Sequence, residues 1–131
     1  MQAKTMLMLH KEKKLPEMHP VTQEALNLFV RRVAEQEKDN LKKIVLFGSV
    51  AREEADEDSD IDVLVVLKEM TLKDRILVCD ISADVKLDLG FDENAYLQTL
   101  TVSEEETCGF AYWGLMQNVG RDGVVLYDAG G

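Results

Sequence analysis

Residues 44–66 read IVLFGSVAREEADEDSDIDVLVV, two apolar segments on either side of a short, highly charged connection. The first, Ile44-Val45-Leu46-Phe47, is an uninterrupted apolar run of the length expected for a strand buried on both faces. The second begins at Ile61 and is rich in β-branched residues, which favour strands. The stretch therefore predicts two buried strands, joined by a connection in which Val50 to Ala55 can form about one and a half helical turns.

The first predicted strand ends at Gly48-Ser49. Because glycine has no side chain to hold off an approaching phosphate, and the amides that follow point outward, such a corner can bind an anion. The serine hydroxyl adds a hydrogen-bond donor, and the start of a helical turn adds partial positive charge. A Gly-Ser pair alone is more often an ordinary turn, so a second sequence feature is required before a phosphate site is predicted.

The second predicted strand opens with Asp60 and Asp62. Residues two apart on a strand face the same way, so the two carboxylates are expected to lie a few ångströms apart. Two like charges this close repel each other, and a bound Mg²⁺ that also takes substrate phosphates would relieve the repulsion. An isolated Asp-x-Asp is more often a solvated strand end. Together with Gly48-Ser49, however, it indicates a site for nucleotide phosphates and a divalent metal.

Residues 46–52, LFGSVAR, followed by residues 58–65, DSDIDVLV, resemble the signature of the minimal nucleotidyltransferases of the polymerase-β superfamily. Residues 121–127, RDGVVLY, resemble the usual C-terminal ending of that family, so the resemblance covers roughly residues 20 to 128. It implies an α/β (α+β) fold, with a small mixed β-sheet flanked by helices.

The resemblance also implies a reaction. An NTP such as ATP would be held through its β- and γ-phosphates by Gly48 and Ser49, and Mg²⁺ would link the phosphates to Asp60 and Asp62. An acceptor hydroxyl would attack the α-phosphorus in line and expel pyrophosphate. Arg52 is a candidate phosphate ligand, and a solvated helix charge is an equally good interpretation of it.

Two features depart from the family pattern. Many members have glycine where this chain has Glu53, a bulky acid close to the expected phosphate site. Active members also commonly supply a third carboxylate, from a later strand, as the general base on the acceptor hydroxyl. The strand predicted at residues 96–102 contains no acid. Asp88 or Asp84 becomes a candidate catalytic base only if residues 79–89 form a strand.

Residues 71–90 fit two structures. Strict alternation of apolar and polar residues over 79–89 favours a strand, whereas a stripe at helical spacing, ending before Gly90, favours a helix. We predict the helix. Its apolar stripe consists of Leu72, Ile76, Cys79, Ala83 and Leu87.

Three further elements are predicted. Apolar residues at three- and four-residue spacing, after Pro20, predict a helix over 20–38. A capping box at Ser103 predicts the start of a second helix, and Gly120 its end. A last strand is expected over 123–127. The second helix is predicted to direct Phe110, Trp113, Met116 and Val119 into the core.

The chain has 131 residues and is 46% apolar, which suits one domain. We expect an N-terminal arm at 1–19, where His10 and His19 have no obvious partners, and a nucleotidyltransferase domain at 20–131. The longest apolar segments of the chain are too short to span a membrane or to form a signal peptide, so we expect a cytoplasmic protein. Cys79 and Cys108 are interpreted as buried, reduced thiols.

A net charge of −10 argues against a long nucleic acid as partner, because carboxylates would face its backbone. Stand-alone proteins that resemble this chain are often antitoxins, which adenylylate a HEPN-family ribonuclease toxin. The resemblance therefore implies transfer of AMP to a hydroxyl on a HEPN toxin. The alternative is a nucleotide-binding antitoxin that acts by contact without catalysis. The sequence also allows a homo-oligomer, since Met1, Met6 and Met8 could pack on a neighbouring subunit.

Overall fold

The computed structural model describes residues 15–54, 60–90 and 97–129. It contains a four-stranded mixed sheet flanked by helices, as predicted. The strands are β1 (Leu41–Phe47), β2 (Ile61–Leu67), β3 (Leu97–Ser103) and β4 (Val124–Asp128). The helices are α1 (Pro20–Glu37), α2 (Gly48–Ala51), α3 (Leu72–Asp88), α4 (Glu104–Thr107) and α5 (Trp113–Asp122), and a 3-10 turn, Lys38–Asn40, links α1 to β1.

The strand order is β3-β2-β1-β4. β1 runs antiparallel to both β2 and β4, and β2 runs parallel to β3. The parallel pair is joined through α3, which is the longer crossover that parallel strands require. The start of β2, the start of β3 and the end of β1 consequently lie at the same end of the sheet.

Apolar residues cover both faces of the sheet, because side chains alternate along each strand. On one face, Ile44, Val63 and Val65 pack in a cluster with residues of α1 and α3. On the other, Leu64 and Val66 pack with Met116 of α5. The two central strands are therefore buried on both sides, as their uninterrupted apolar sequences predicted.

Helix α1 matches the predicted element, with Pro20 in its first turn. His19 forms its N-cap, where Nδ1 accepts a hydrogen bond from the backbone N–H of Val21 at 3.2 Å. His19 is exposed but has a local partner, which the sequence did not reveal. His10 and most of the predicted arm lie outside the described residues, and the division at residue 19 stays a prediction.

Helix α3 confirms the helical interpretation, and the strand alternative for 79–89 is wrong. Its N-terminus carries a capping box formed by Thr71 and Asp74, and Gly90 follows its end with φ +65°. The predicted apolar stripe, however, faces solvent: Leu72 is 71% exposed and Leu87 79%. The buried positions are Val78, Ile81, Ser82 and Val85. The period identified the helix, but the packing of α1 and the sheet selected the other face.

The predicted C-terminal helix is divided in two. The Ser103–Glu106 capping box is present, but α4 ends at Thr107 and helix resumes only at Trp113. This break resets the helical phase, so Phe110 is 94% exposed and Trp113 54%, contrary to the prediction. Met116 and Val119 are buried as predicted, and α5 continues past Gly120 to Asp122.

Cys79 and Cys108 are both reduced thiols and both exposed, so the prediction that they are buried is wrong. Cys79 lies on the solvent-facing stripe of α3, and Cys108 is the residue that follows α4. Ala55 and Tyr96, at the ends of two predicted elements, lie outside the described residues. None of the helices described is both long and apolar enough to span a membrane.

Candidate functional site

The corner between β1 and α2 contacts the start of β2. Gly48 has φ +77°, a left-handed conformation that favours glycine. A Cβ at this position would overlap Oδ2 of Asp62 and lie 3.1 Å from its Cγ. The antiparallel register causes this approach, because Phe47 is the Cα partner of Asp62. The structure therefore brings the predicted phosphate corner directly against one of the predicted metal ligands.

Ser49 follows in the single turn of α2 and is half-buried. Val50 and Ala51 of the same turn are buried in the core and fix the position of the corner. The carbonyl of Ser49 accepts a hydrogen bond from the N–H of Glu54 at 2.9 Å, and the carbonyl of Gly48 accepts one from Arg52 at 3.1 Å. The chain thus closes tightly after the corner, and Ser49 lies beside Gly48 at the end of β1.

Asp62 shares a sheet face with Leu64 and Val66, the face covered by α5. Burial raises the pKa of Asp62, and the neighbouring Asp60 carboxylate raises it further, whereas Arg52 lowers it. The ionised form of Asp62 is thus disfavoured, because the side chain is partly buried and a second carboxylate lies nearby. A divalent cation between the two would reverse that disadvantage, so the pair fits a metal site on chemical grounds.

Two carboxylates are too few to complete the coordination of Mg²⁺. Among the residues that the structure describes, no group of three or more His, Cys, Asp and Glu side chains could hold a metal. Mg²⁺ characteristically takes one or two protein carboxylates, together with substrate phosphates and water. Asp60 and Asp62 beside a phosphate corner are consistent with that mode of binding.

Arg52 lies immediately after α2, at the mouth of this corner. Its Nε donates to Oε1 of Glu54 at 2.9 Å, and its Nη1 lies 3.7 Å from Oδ2 of Asp122. The charge of Asp62 also acts on it. Arg52 is therefore exposed and has carboxylate neighbours, and its role as a phosphate ligand stays a prediction.

Glu53 has φ +60°, one of only two positive φ values among non-glycine residues in the part of the chain that the structure describes. Glycine adopts this conformation without strain, which accounts physically for the glycine of many family members at this position. Here the Glu53 carboxylate accepts a hydrogen bond from the N–H of Glu17 at 2.9 Å. Glu53 therefore keeps the backbone conformation of the turn, and its carboxylate points toward the segment before α1.

Asp88 is not brought to the aspartate pair. It is the last residue of α3, which packs with the opposite sheet face from that of Asp62. Its carboxylate pairs with Nη2 of Arg32 in α1 at 2.6 Å. Asp84 lies on the same helix and lines a groove between α1 and α3. Because 79–89 is helical, the condition that made either residue a candidate base is not met.

The structure adds two residues that the sequence did not indicate. Gln98 of β3 is the Cα partner of Asp62, so its exposed side chain lies on the same face beside the carboxylate. It lies on the later strand, where the family resemblance leads one to expect a third acid. Asp122, at the end of α5, pairs with Arg52 and is only 15% exposed. Both contacts depend on strand order. The sequence placed Asp122 in the family-like segment 121–127 but could not show that it reaches Arg52.

A model of the nucleotidyltransferase domain matches residues 26–106 of the chain. Two proteins of Methanocaldococcus jannaschii, each named "putative protein adenylyltransferase", are similar in sequence. One is 36% identical over 83 residues, covering 61% of this chain and 84% of the relative. The other is 34% identical over 105 residues, covering 80% of this chain and 97% of the relative.

Solved structures share the fold. A protein described as a "putative minimal nucleotidyltransferase" superposes with a TM-score of 0.51 at 28% identity, covering 82% of this chain and 96% of its own. A chain from a toxin–antitoxin structure with AMP-PNP gives a TM-score of 0.51 at 19% identity, with 77% and 72% covered. The phosphate corner and the Asp-x-Asp strand lie within the region that the family model matches. The chain is therefore a member of the nucleotidyltransferase domain family, in the polymerase-β superfamily.

Proposed function

We propose that this nucleotidyltransferase transfers AMP from ATP to a hydroxyl group on a partner protein. The hydroxyl oxygen forms a bond to the α-phosphorus as the bond to pyrophosphate breaks, and the hydroxyl proton is released to solvent. Gly48 and Ser49 would receive the β- and γ-phosphates, and Arg52 would donate to a phosphate oxygen. Asp60 and Asp62 would hold Mg²⁺. Bound there, Mg²⁺ would neutralise charge on the phosphates and on the transferring group. The observation that carries the proposal is the contact between Gly48 and the Asp62 carboxylate, which makes the anion and cation sites adjacent.

The nucleotide and the acceptor class rest on the relatives. Both similar proteins of Methanocaldococcus jannaschii carry a protein adenylyltransferase name, which supports AMP as the transferred group and a protein as acceptor. The fold is also that of a chain in a toxin–antitoxin structure with AMP-PNP. Because stand-alone proteins that this chain resembles are often antitoxins of HEPN-family toxins, we infer that the acceptor is such a toxin, which the transfer inactivates.

The test is transfer of label from α-³²P-ATP to the product of the neighbouring gene, in the presence of Mg²⁺. The wild-type protein is expected to label the partner, and Asp60→Asn and Asp62→Asn are each expected to reduce labelling by about 100-fold or more. Asp128→Asn is the matched control, since Asp128 pairs with Lys43 at the far end of β4. Labelling that survives both site substitutions would refute the proposed mechanism.

The same assay decides the role of Asp88. A general base must come within hydrogen-bond reach of the acceptor hydroxyl, directly or through one water. Because Asp88 lies on α3 and pairs with Arg32, Asp88→Asn is expected to transfer label at the wild-type rate. A loss comparable to that of Asp62→Asn would restore it as a candidate base.

One observation favours a second candidate function, an antitoxin that binds nucleotide but neutralises its partner by contact. The residue beside Asp62 on β3 is Gln98, whose amide cannot accept the proton of an attacking hydroxyl as a carboxylate can. Neutralisation that persists in the Asp60→Asn, Asp62→Asn double variant, without labelling of the partner, would establish this alternative.

A further inference from the structure

Asp122 ends α5, on the face of the sheet where Asp62 lies, and it is mostly shielded from solvent. Its Oδ2 lies 3.7 Å from Nη1 of Arg52, 70 residues earlier in the chain, and its side chain is 15% exposed. The adjacent Arg121 also pairs with this oxygen, through Nη2 at 3.1 Å. Glu54, the other partner of Arg52, is only two residues away and 65% exposed. An ion pair is screened less where its members are shielded, so the contact with Asp122 is less screened than the shorter contact with Glu54, which is 2.9 Å long.

The position of Asp122 is determined by rigid elements. Met116 and Val119 anchor α5 in the core, and the N–H of Gly123 donates to the carbonyl of Val119 at 2.7 Å. The chain then enters β4, where Val124 is the Cα partner of Leu46. Asp122 is thus two residues before Val124, whose partner Leu46 is two residues before Gly48.

Arg52 has no comparable anchor within its own segment. It follows the single turn of α2, and its side chain is 40% exposed. Three carboxylates act on its charge: Glu54, Asp122 and Asp62. If Arg52 turned fully toward Asp62, it would neutralise the carboxylate that the cation requires. The ion pair with Asp122 opposes that movement.

We propose that Asp122 is a positioning residue for Arg52: it holds the guanidinium beside the Gly48–Ser49 corner, available to a nucleotide phosphate and away from Asp62. The inference rests on the proposed function only for the identity of the ligand as an NTP. In this arrangement the effect of Asp122 on binding is exerted through Arg52 and not through its other partner, Arg121, whose side chain is 68% exposed.

The experiment is a double-mutant cycle on binding to the full chain, which requires no turnover. MgATP affinity is measured by calorimetry for the wild type, Asp122→Asn, Arg52→Ala and the double variant. Asp122→Asn is expected to weaken MgATP binding about three- to tenfold in the wild-type background and to have no further effect once Arg52 is alanine. Asp122→Glu, which keeps the charge, is expected to recover part of the loss.

Mn²⁺ binding without nucleotide, followed by electron paramagnetic resonance, provides a second measurement. Asp122→Asn is expected to weaken it, because Arg52 then turns toward Asp62, and Arg52→Ala is expected to abolish that effect. Asp128→Asn, which removes a similar ion pair at 3.8 Å from Lys43, should change neither affinity. Thermal melts check that each variant is folded.

The outcomes separate this inference from the proposed function. Equal weakening by Asp122→Asn in both backgrounds, or none in either, overturns the positioning role. Failure of the wild type to bind MgATP or to label a partner overturns the proposed function, whereas the Mn²⁺ cycle still decides whether Asp122 acts through Arg52. A wild-type protein that binds neither MgATP nor Mn²⁺ overturns both.

Discussion

The Asp62 carboxylate occupies the space that a Cβ on Gly48 would need. This contact joins two signals that are separate in the sequence, a corner suited to an anion and a strand that begins with paired acids. It also gives Gly48 two independent physical requirements: its φ of +77° and the absence of a side chain.

Gly48→Ala tests both requirements. The left-handed conformation costs a non-glycine residue about 1–2 kcal/mol, and the overlap with Asp62 adds to that cost. Calorimetry is expected to show loss of MgATP binding, and denaturant unfolding a lower stability. Gly90→Ala is the matched control, since Gly90 has φ +65° but no heavy atom within 4 Å of the place that an added Cβ would take. It should lose similar conformational free energy and keep MgATP binding; equal binding by both variants would contradict the proposed site.

Asp62→Asn is expected to separate stability from binding. Burial and Asp60 raise the pKa of Asp62, so its ionised form weakens the fold without a cation. The amide removes that charge, and the free protein should gain stability by up to about 1 kcal/mol, since the side chain is only half-buried. Thermal melts with and without MgATP check this. The variant should melt higher than wild type alone but gain little from MgATP, and a full gain from MgATP would contradict the metal role.

Gln98→Glu is expected to supply the acid that the later strand lacks. The new carboxylate would lie beside Asp62, because the two positions are Cα partners in the parallel pair. A positioned general base contributes roughly 100-fold or more, and we expect about a tenfold increase in label transfer from one introduced without optimisation. The control is Gln117→Glu, the same change at an exposed position on α5. A decrease with unchanged Mn²⁺ binding would show that the Gln98 amide itself serves the reaction.

Glu37 makes stability depend on pH at the other end of the fold. Burial raises the pKa of this carboxyl above 4.5, and Asp74 adds to the rise, although a hydrogen bond from Asn40 opposes it. A raised pKa in the folded state means that the contribution of Glu37 to stability is fully present below the unfolded pKa. It is lost as pH increases through the folded value.

Glu37→Gln should remove this dependence on pH, because an amide does not titrate. The carbonyl oxygen of the glutamine can still accept the hydrogen bond from Asn40. We expect the variant to be more stable than wild type at pH 7 by about 1 kcal/mol, and the difference to vanish near pH 4. Urea unfolding at several pH values measures it. Glu35→Gln, an exposed position on the same helix, is the control, and the same response in both variants would assign the effect to net charge.

Local patterns in the sequence predicted the elements of the site but only part of their surroundings. β1, β2 and the Gly48 corner were correct because an apolar run, β-branched residues and a glycine act over a few neighbouring residues. The period of α3 likewise distinguished helix from strand. It could not tell which of two apolar faces was buried, since Leu72 and Val78 are both apolar and only the packing of α1 and the sheet separates them.

Contiguous residues were therefore enough to identify the family and to locate the Gly48–Ser49 corner and the two aspartates at the start of β2. Which distant residues join them depends on the tertiary structure. Gln98 reaches Asp62 through parallel register, Asp122 reaches Arg52 through the end of α5, and Asp88 is assigned to the opposite face. Strand order and register arise from the burial of the whole sheet, so no single segment encodes these contacts.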